Sequence, residues 1–505
     1  MKYRPLMILG TGSDVGKSIL VAALCRIFYQ EGIRVAPFKA QNMALNSFIT
    51  TEGGEMGRAQ VVQAQAAGLA PQVDMNPILL KPCGGLGCQV IVQGKVYANL
   101  GAHDYYRQKP RLVRRVMASF RRLQAAHELI ILEGAGSAAE LNLKKSDLVN
   151  FSMAKRAGAA VLLVADIDRG GVFAATIGTF HLLTMAERRL LAGFIINKFR
   201  GEPALFHDGV EIIQTRTRRP VFGVLPFIPD LNLPQEDSVA LERKIRHPGE
   251  TGQERLRFGI VRLPHISNYT DFDPLEQEPG VTLSYLDPRQ NLTAMDVVII
   301  PGTKNTIADL GYLQQSGLAF RLQEYARQGG HLIGVCGGYQ ILGQVVKDPL
   351  GVEGAMPEAA GLGLLPIVTT MAGEKTTTQV EARVVGLPGS GHSIKGYEIH
   401  MGITEVVGPG QAVFEIYRRQ GQAVQVPDGW ARPDQRIWGS YIHGLFDNDD
   451  FRRALLQRFR TLKGLGANLG SLPSFATAVE AEFDRLAEIV RRHLDLSQLR
   501  ALIEN

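Results

Sequence analysis

Leu6-Met-Ile-Leu9, running straight into Gly10-Thr-Gly-Ser-Asp-Val-Gly-Lys-Ser18, decides the fold of the first half of this 505-residue chain. Four consecutive apolar residues read as a short strand buried on both faces. After the glycine loop an apolar helical run extends from Ile19 to Tyr29. Strand, glycine loop and helix start together form a nest of backbone amides that cradles phosphate groups. Thr11, Gly12, Ser13, Asp14, Val15 and Gly16 shape that loop. Lys17 supplies charge to the β- and γ-phosphates of ATP, and the Ser18 hydroxyl can ligate Mg²⁺. The spacing departs from strict G-x-x-x-x-G-K-[ST], because Thr11 stands at the first glycine position and Gly10 one residue earlier.

Outward from this loop, short apolar strands alternate with helical stretches. Ile33–Phe38, Leu129–Leu132, Ala159–Val164, Gly193–Ile196 and Val221–Pro226 are the expected strands. Such alternation predicts a mainly parallel, doubly wound α/β sheet with the phosphate site at the strand carboxyl ends. The first domain is expected over 1–233, and the polar, proline- and glycine-bearing stretch 234–254 reads as a linker. Alternation resumes at Leu256–Leu263, Val297–Ile300 and His331–Val335, with further strands near Ile367–Thr370, Gly396–His400 and Trp438–Tyr441. These define a second doubly wound α/β domain over 255–450. The remainder, 451–505, is expected as a helical extension, with Arg452–Phe459 and Ala476–Leu494 carrying apolar residues at helical spacing.

The second chemical centre is Cys336-Gly-Gly-Tyr-Gln340, followed about a hundred residues later by Ser440-Tyr-Ile-His-Gly444. An apolar strand, a glycine-rich turn and a helix start put the Cys336 thiol on a sharp elbow, where the helix dipole favours thiolate. Gly337 and Gly338 let the backbone turn tightly and aim N–H groups at a developing oxyanion. The competing reading is a buried structural cysteine, the commoner fate of a lone thiol. The downstream His443 favours the nucleophile.

These residues resemble the glutaminase domain of class I glutamine amidotransferases. The resemblance implies that Cys336 attacks the glutamine amide, that His443 shuttles protons and that ammonia is released. Pro301-Gly-Thr-Lys-Asn305 resembles the oxyanion loop of that family, with Gly302 and Gly337 as the expected oxyanion groups. Many members carry Glu two residues after the histidine, where this chain has Leu445. Asp447 and Glu398 are the alternative orienters, and the sequence does not choose between them.

The phosphate loop, in turn, resembles that of dethiobiotin synthetase and its relatives, which activate a carboxylate with ATP. It differs from the partitioning ATPases, whose additional lysine would fall at Gly12. The resemblance assigns Lys39 to the transferred phosphoryl group and Glu133, at the end of Leu129-Ile-Ile-Leu-Glu133, to Mg²⁺. Glu55, before the helical run Gly57–Gln65, is the second expected Mg²⁺ ligand.

Longer stretches narrow the resemblance. Phe38–Ser47, Asn76–Pro82, Glu133–Glu140, Ala165–Phe173, Asn197–Gly201, Leu263–Asp273 and Gly396–Gly402 are closely similar to the cobyric acid synthase family. This implies amidation of the b, d, e and g carboxylates of adenosylcobyrinic acid a,c-diamide, with ATP and glutamine consumed at each. Glutamine and a corrinoid polycarboxylate are the implied substrates; a homo-oligomer is left open. Asn197 joins the expected ATP-binding set. Asp147, in Leu143–Asn150, is either a substrate-site residue or the N-cap of the next helix. Two other classes fit the residues without the resemblance. One is an amidoligase for another polyacid, such as a cell-wall precursor or the substrate of an a,c-diamide synthase. The other is a nucleotide switch with a non-catalytic thiol module.

Composition adds exclusions. No apolar run approaches the roughly 18 residues of a membrane span. The net charge of +6 is mild, and the arginine clusters at 111–115, 121–122 and 216–219 lack interleaved aromatics, so nucleic acid is not an expected partner. Four cysteines do not make a disulfide scaffold, and the N-terminus enters the phosphate-loop strand directly, so a cytoplasmic enzyme is expected. Cys83 and Cys88 have no matching Cys/His pair for a metal site.

Overall fold

The computed structural model describes residues 2–83, 87–234, 236, 255–354, 356–466 and 473–504. The linker expected at 234–254 lies outside the described residues except for Pro234 and Glu236, as does the centre of the Cys83–Cys88 stretch.

Six strands, all parallel, form the first sheet, with Leu6–Gly10 inside it. Their order is Val221–Pro226, Leu191–Phe199, Ala160–Asp166, Leu6–Gly10, Leu129–Glu133 and Val35–Phe38. The strand residues Leu6 to Leu9 are fully buried, as a parallel sheet covered by helices on both faces requires. Strand order reverses at Leu6–Gly10, so the phosphate loop opens at the switch point where α/β sheets bind ligands.

An insertion follows the Val35–Phe38 strand. Asn42–Met43, Ile78–Pro82, Gly87–Val92 and Lys95–Gly101 make a small mixed sheet, with the hairpin Ser47–Ile49 and Glu55–Gly57 beside it. None of these strands was among those expected.

The second domain has a parallel sheet in the order Val281–Leu286, Leu256–Val261, Val297–Ile300, His331–Val335 and Ile437–Ser440, edged by antiparallel Trp430–Ala431. Beside it lies a largely antiparallel sheet built on Ile367–Val384 and Ser393–Val406. These strands run 18 and 14 residues, far past the expected Ile367–Thr370 and Gly396–His400. The extension of the first strand bonds the first domain through Lys375, Thr377 and Gln379 and is rich in polar residues, which hides it from an apolar-run reading.

The C-terminal helices Phe475–His493 and Leu496–Glu504 do not trail away from the second domain. Phe483, Leu486, Val490, Leu499 and Ile503 join the core around the phosphate-loop helix Lys17–Gln30. Arg26 of that helix pairs with Glu480 and Asp484 at 2.8 and 2.7 Å. The chain thus closes its first domain with its last residues.

Candidate active site

At the phosphate loop, Gly16 has φ +96°, and a Cβ there would meet Asn197 Nδ2 at 2.1 Å, so only glycine fits. Asn197 itself donates to the Val15 carbonyl at 2.9 Å. It braces the loop from behind, directly against Gly16. Lys198 ties down the same loop by donating to the Asp14 carbonyl and to Asp166. Ser13, Asp14, Gly16, Lys17 and Ser18 line a cavity of about 950 Å³. Thr11 instead bonds through its N–H to Val164, Gly12 offers its carbonyl to Lys17 Nζ at 2.8 Å, and Val15 packs into the core.

Opposite the loop, Glu133 is 1 % exposed and crowded with donors. Ser18 Oγ and Lys39 Nζ each lie 2.8 Å from Oε1, while Gln63 and Gln60 donate to Oε2 at 2.6 and 3.3 Å. Burial pushes this carboxyl up, but Lys39 and the hydrogen bonds outweigh it and hold Glu133 below the usual range. Ser18 and Glu133 therefore present adjacent hard oxygen donors beside the phosphate nest. That set fits a magnesium ion, which usually takes one or two carboxylates and completes its shell with phosphates and water.

Glu55 does not join them, and the expectation of a second metal carboxylate is corrected. Its strand pairs with Ser47–Ile49 and directs the side chain toward the second domain. There Lys81 and Lys375 satisfy its two oxygens at 2.8 and 2.6 Å. Their charges hold the buried carboxyl down, to about 2, against the effect of burial. Asp147 lines the phosphate-side cavity, but both its oxygens accept backbone N–H groups, from Val149, Asn150 and Ser152 at 2.9 to 3.0 Å. These bonds order the turn that leads into the helix Phe151–Ala157, whose N-cap position is Asn150. Asn150, overlooked in the sequence, exchanges hydrogen bonds with Ala135 at 2.9 Å and pins the loop after Glu133.

At the second centre Cys336 follows the buried strand His331–Val335 with φ +52° and ψ −110°, a strained backbone that presents the thiol at the turn into the helix Gly337–Leu342. Gly338 permits the turn, since a Cβ there would sit 1.9 Å from the Ile300 carbonyl. The elbow therefore presses against the loop Pro301–Asn305. Gly337 abuts Thr303 and Gly302 abuts the His443 ring, so the two expected oxyanion positions flank the thiol–imidazole pair.

His443 hydrogen-bonds Cys336 and is 1 % exposed. Its Nδ1 lies 2.6 Å from Asp271 Oδ2, leaving Nε2 for the thiol side. Asp271 Oδ1 also accepts the Gly444 N–H at 3.2 Å, and the Tyr397 ring stacks on the imidazole at 5.3 Å. Burial works against a charged imidazole, yet Asp271 and Cys336 raise His443 to about 10. The orienting carboxylate is therefore Asp271, from the turn Tyr269–Phe272, and neither residue expected for that place. Glu398 is engaged by Arg419 at 3.0 Å, and Asp447 is exposed. The signal was present in Leu263–Asp273, but nothing local in the sequence ties that stretch to His443.

The two domains meet through Ser47 N–H to Asn268 Oδ1 at 3.0 Å, Tyr269 N–H to Asn46 Oδ1 at 3.1 Å and Tyr397 O–H to the Ser47 carbonyl at 3.2 Å. A histidine-stacked tyrosine thus touches the first domain.

Family models agree with this division of labour. The CobQ/CobB/MinD/ParA nucleotide binding domain matches residues 6–239, and the CobB/CobQ-like glutamine amidotransferase domain matches residues 257–451. The cobyric acid synthase of Syntrophobacter fumaroxidans is 52% identical over 99% of this chain and 99% of its own length. That of Moorella thermoacetica is 48% identical, with 99% and 97% covered, and that of Yersinia enterocolitica 46%, with 99% and 98%. Identity at this level along both halves, over a phosphate loop and a Cys–His–Asp constellation in one chain, makes this protein a member of the cobyric acid synthase family.

Proposed function

We propose that this protein amidates the b, d, e and g carboxylates of adenosylcobyrinic acid a,c-diamide to give adenosylcobyric acid, using ATP and glutamine. The observation that carries the reading is the pairing, in one chain, of Lys17, Ser18, Lys39 and Glu133 around one cavity with Cys336 and His443 at another, where Asp271 holds the imidazole.

In the first cavity a carboxylate, a poor electrophile, is activated as an acyl phosphate. Lys17 and Lys39 hold the transferred phosphoryl group and offset its charge. Mg²⁺, held by Ser18 and Glu133 when it accompanies ATP, supplies further neutralisation of the phosphates. Asn197 and Lys198 keep the loop in place, and Asp147 and Asn150 order the segment that follows Glu133.

In the second cavity Cys336 attacks the glutamine side-chain amide, with the oxyanion received at Gly302 and Gly337. His443 gives a proton to the departing ammonia, oriented by Asp271. Water then releases glutamate from the thioester.

No helix among the described residues is long and apolar enough to cross a membrane. The free cysteines and the ATP and glutamine requirements support action in the cytoplasm. Mass spectrometry of the a,c-diamide after incubation with the protein, ATP, Mg²⁺ and glutamine tests the assignment. Four successive replacements of OH by NH₂ are expected, and an unchanged corrinoid beside another amidated polyacid would overturn it.

A further inference from the structure

The strand Ile78–Pro82 is a wall common to the two cavities. Side chains alternate across a strand. Leu80 and Pro82 line the phosphate-side cavity, and Lys81 between them lines the cavity beside Cys336. Lys81 is 4 % exposed, and its ammonium meets Glu55 Oε1 at 2.8 Å. Lys375, on the long strand Ile367–Val384 of the other domain, meets Glu55 Oε2 at 2.6 Å and lines the same thiol cavity. A charge cluster drawn from both domains therefore stands where one cavity backs onto the other.

None of the three groups takes part in the phosphoryl or thiol chemistry described above. A purely stabilising reading is weak, because burying ions costs several kcal/mol each before their attraction repays it. The cavity they close beside Cys336 is about 50 Å³, space for a molecule the size of ammonia or water.

We propose that Lys81, Glu55 and Lys375 form the gate by which ammonia released at Cys336 crosses from the glutaminase cavity to the acyl-phosphate cavity. The inference rests on the amidoligase reading. Two ammonium groups around one carboxylate leave a net positive charge at the crossing. That charge repels ammonium and passes neutral ammonia, the only form with a lone pair for attack on the acyl phosphate. Lysine suits the place, having a compact charge on a flexible four-carbon stem that can swing aside. Burial, aided by Lys81, brings Lys375 down to about 8 against the pull of Glu55. Closed, the ion pairs keep bulk water and the glutamine side chain out of the synthetic cavity.

Two readings on Lys375→Met test this. One is glutamate released per amide formed. The other is uptake of isotopically labelled ammonium from the medium into the product while unlabelled glutamine is the donor. The parent should give a ratio near one and little label. Lys375→Met should raise the ratio severalfold and admit label, while synthesis driven by ammonium salt stays within about twofold. Lys375→Arg, which keeps charge and reach, should return the ratio toward the parent value. An unchanged ratio with no added label overturns the gate, as does an equal loss of glutamine- and ammonium-driven synthesis in a folded variant. If Lys375→Met does not fold, the same two readings on Glu55→Gln decide. Failure of the parent to amidate the corrinoid from ammonium would sink the amidoligase reading, whereas failure of the gate alone leaves that amidation intact.

Discussion

His443 Nδ1 and Asp271 Oδ2 stand 2.6 Å apart although 172 positions separate them in the chain. The contact fixes the imidazole tautomer, because a carboxylate at Nδ1 holds a proton there and leaves Nε2 to exchange protons with the thiol. It also explains how the site is completed with Leu445 two residues after the histidine, since the carboxylate is delivered by a different segment.

Asp271→Asn should therefore cut glutamine-dependent amidation by on the order of 10³ to 10⁴ while synthesis from ammonium salt survives. Glu398→Ala and Asp447→Ala should leave glutaminase turnover within about twofold. Parallel assays with the two nitrogen donors separate these outcomes, and a loss confined to Glu398→Ala would return the orienting role to that residue.

The same contact has a pH signature. His443 is raised to about 10 in the folded protein, against about 6.5 in an unfolded chain. A group raised on folding stabilises fully below its unfolded value, and that contribution fades as pH rises through the folded value. The stability advantage of the parent over Asp271→Asn should be greatest below about pH 6.5 and shrink toward pH 10. Carbon-detected NMR of labelled histidine gives the direct check, with the His443 midpoint falling toward its ordinary value in the variant.

Lys17→Ala and Glu133→Ala should abolish synthesis from both glutamine and ammonium. Each removes charge stabilisation at the phosphate cavity, where one such group commonly contributes a hundredfold or more, about 3 kcal/mol. Glutamate release measured without corrinoid should persist, because neither residue touches Cys336. Cys336→Ser should do the reverse, losing glutamine use and keeping ammonium use.

Strands buried on both faces were legible in the sequence because nothing interrupts their apolar run. Val297–Ile300 and His331–Val335 have the same limits in the structure as in the sequence. The phosphate loop and the Cys336 elbow were legible for a related reason, since both are local strand–glycine–helix units. Glu55 was misread because an acid before a helix looks alike whether it faces a metal or a lysine. Its partner Lys375 lies 320 positions away. Asp271 was hidden in the same way, and so was the return of the C-terminal helices, whose apolar faces announce burial without naming what buries them.

That return gives a stability test. Phe483 is 1 % exposed in the core it shares with Leu20, Leu24 and Ile27 of the phosphate-loop helix. Phe483→Ala removes a large side chain from this packing and should cost about 3 to 5 kcal/mol. The loss should appear as a lower melting temperature that ATP partly restores, since a ligand bound only by the folded first domain stabilises it. Glutamate release at Cys336 should survive at temperatures where ammonium-driven synthesis has already failed. If both activities fall together along one melting curve, the C-terminal helices support the whole molecule and not the phosphate-loop domain in particular.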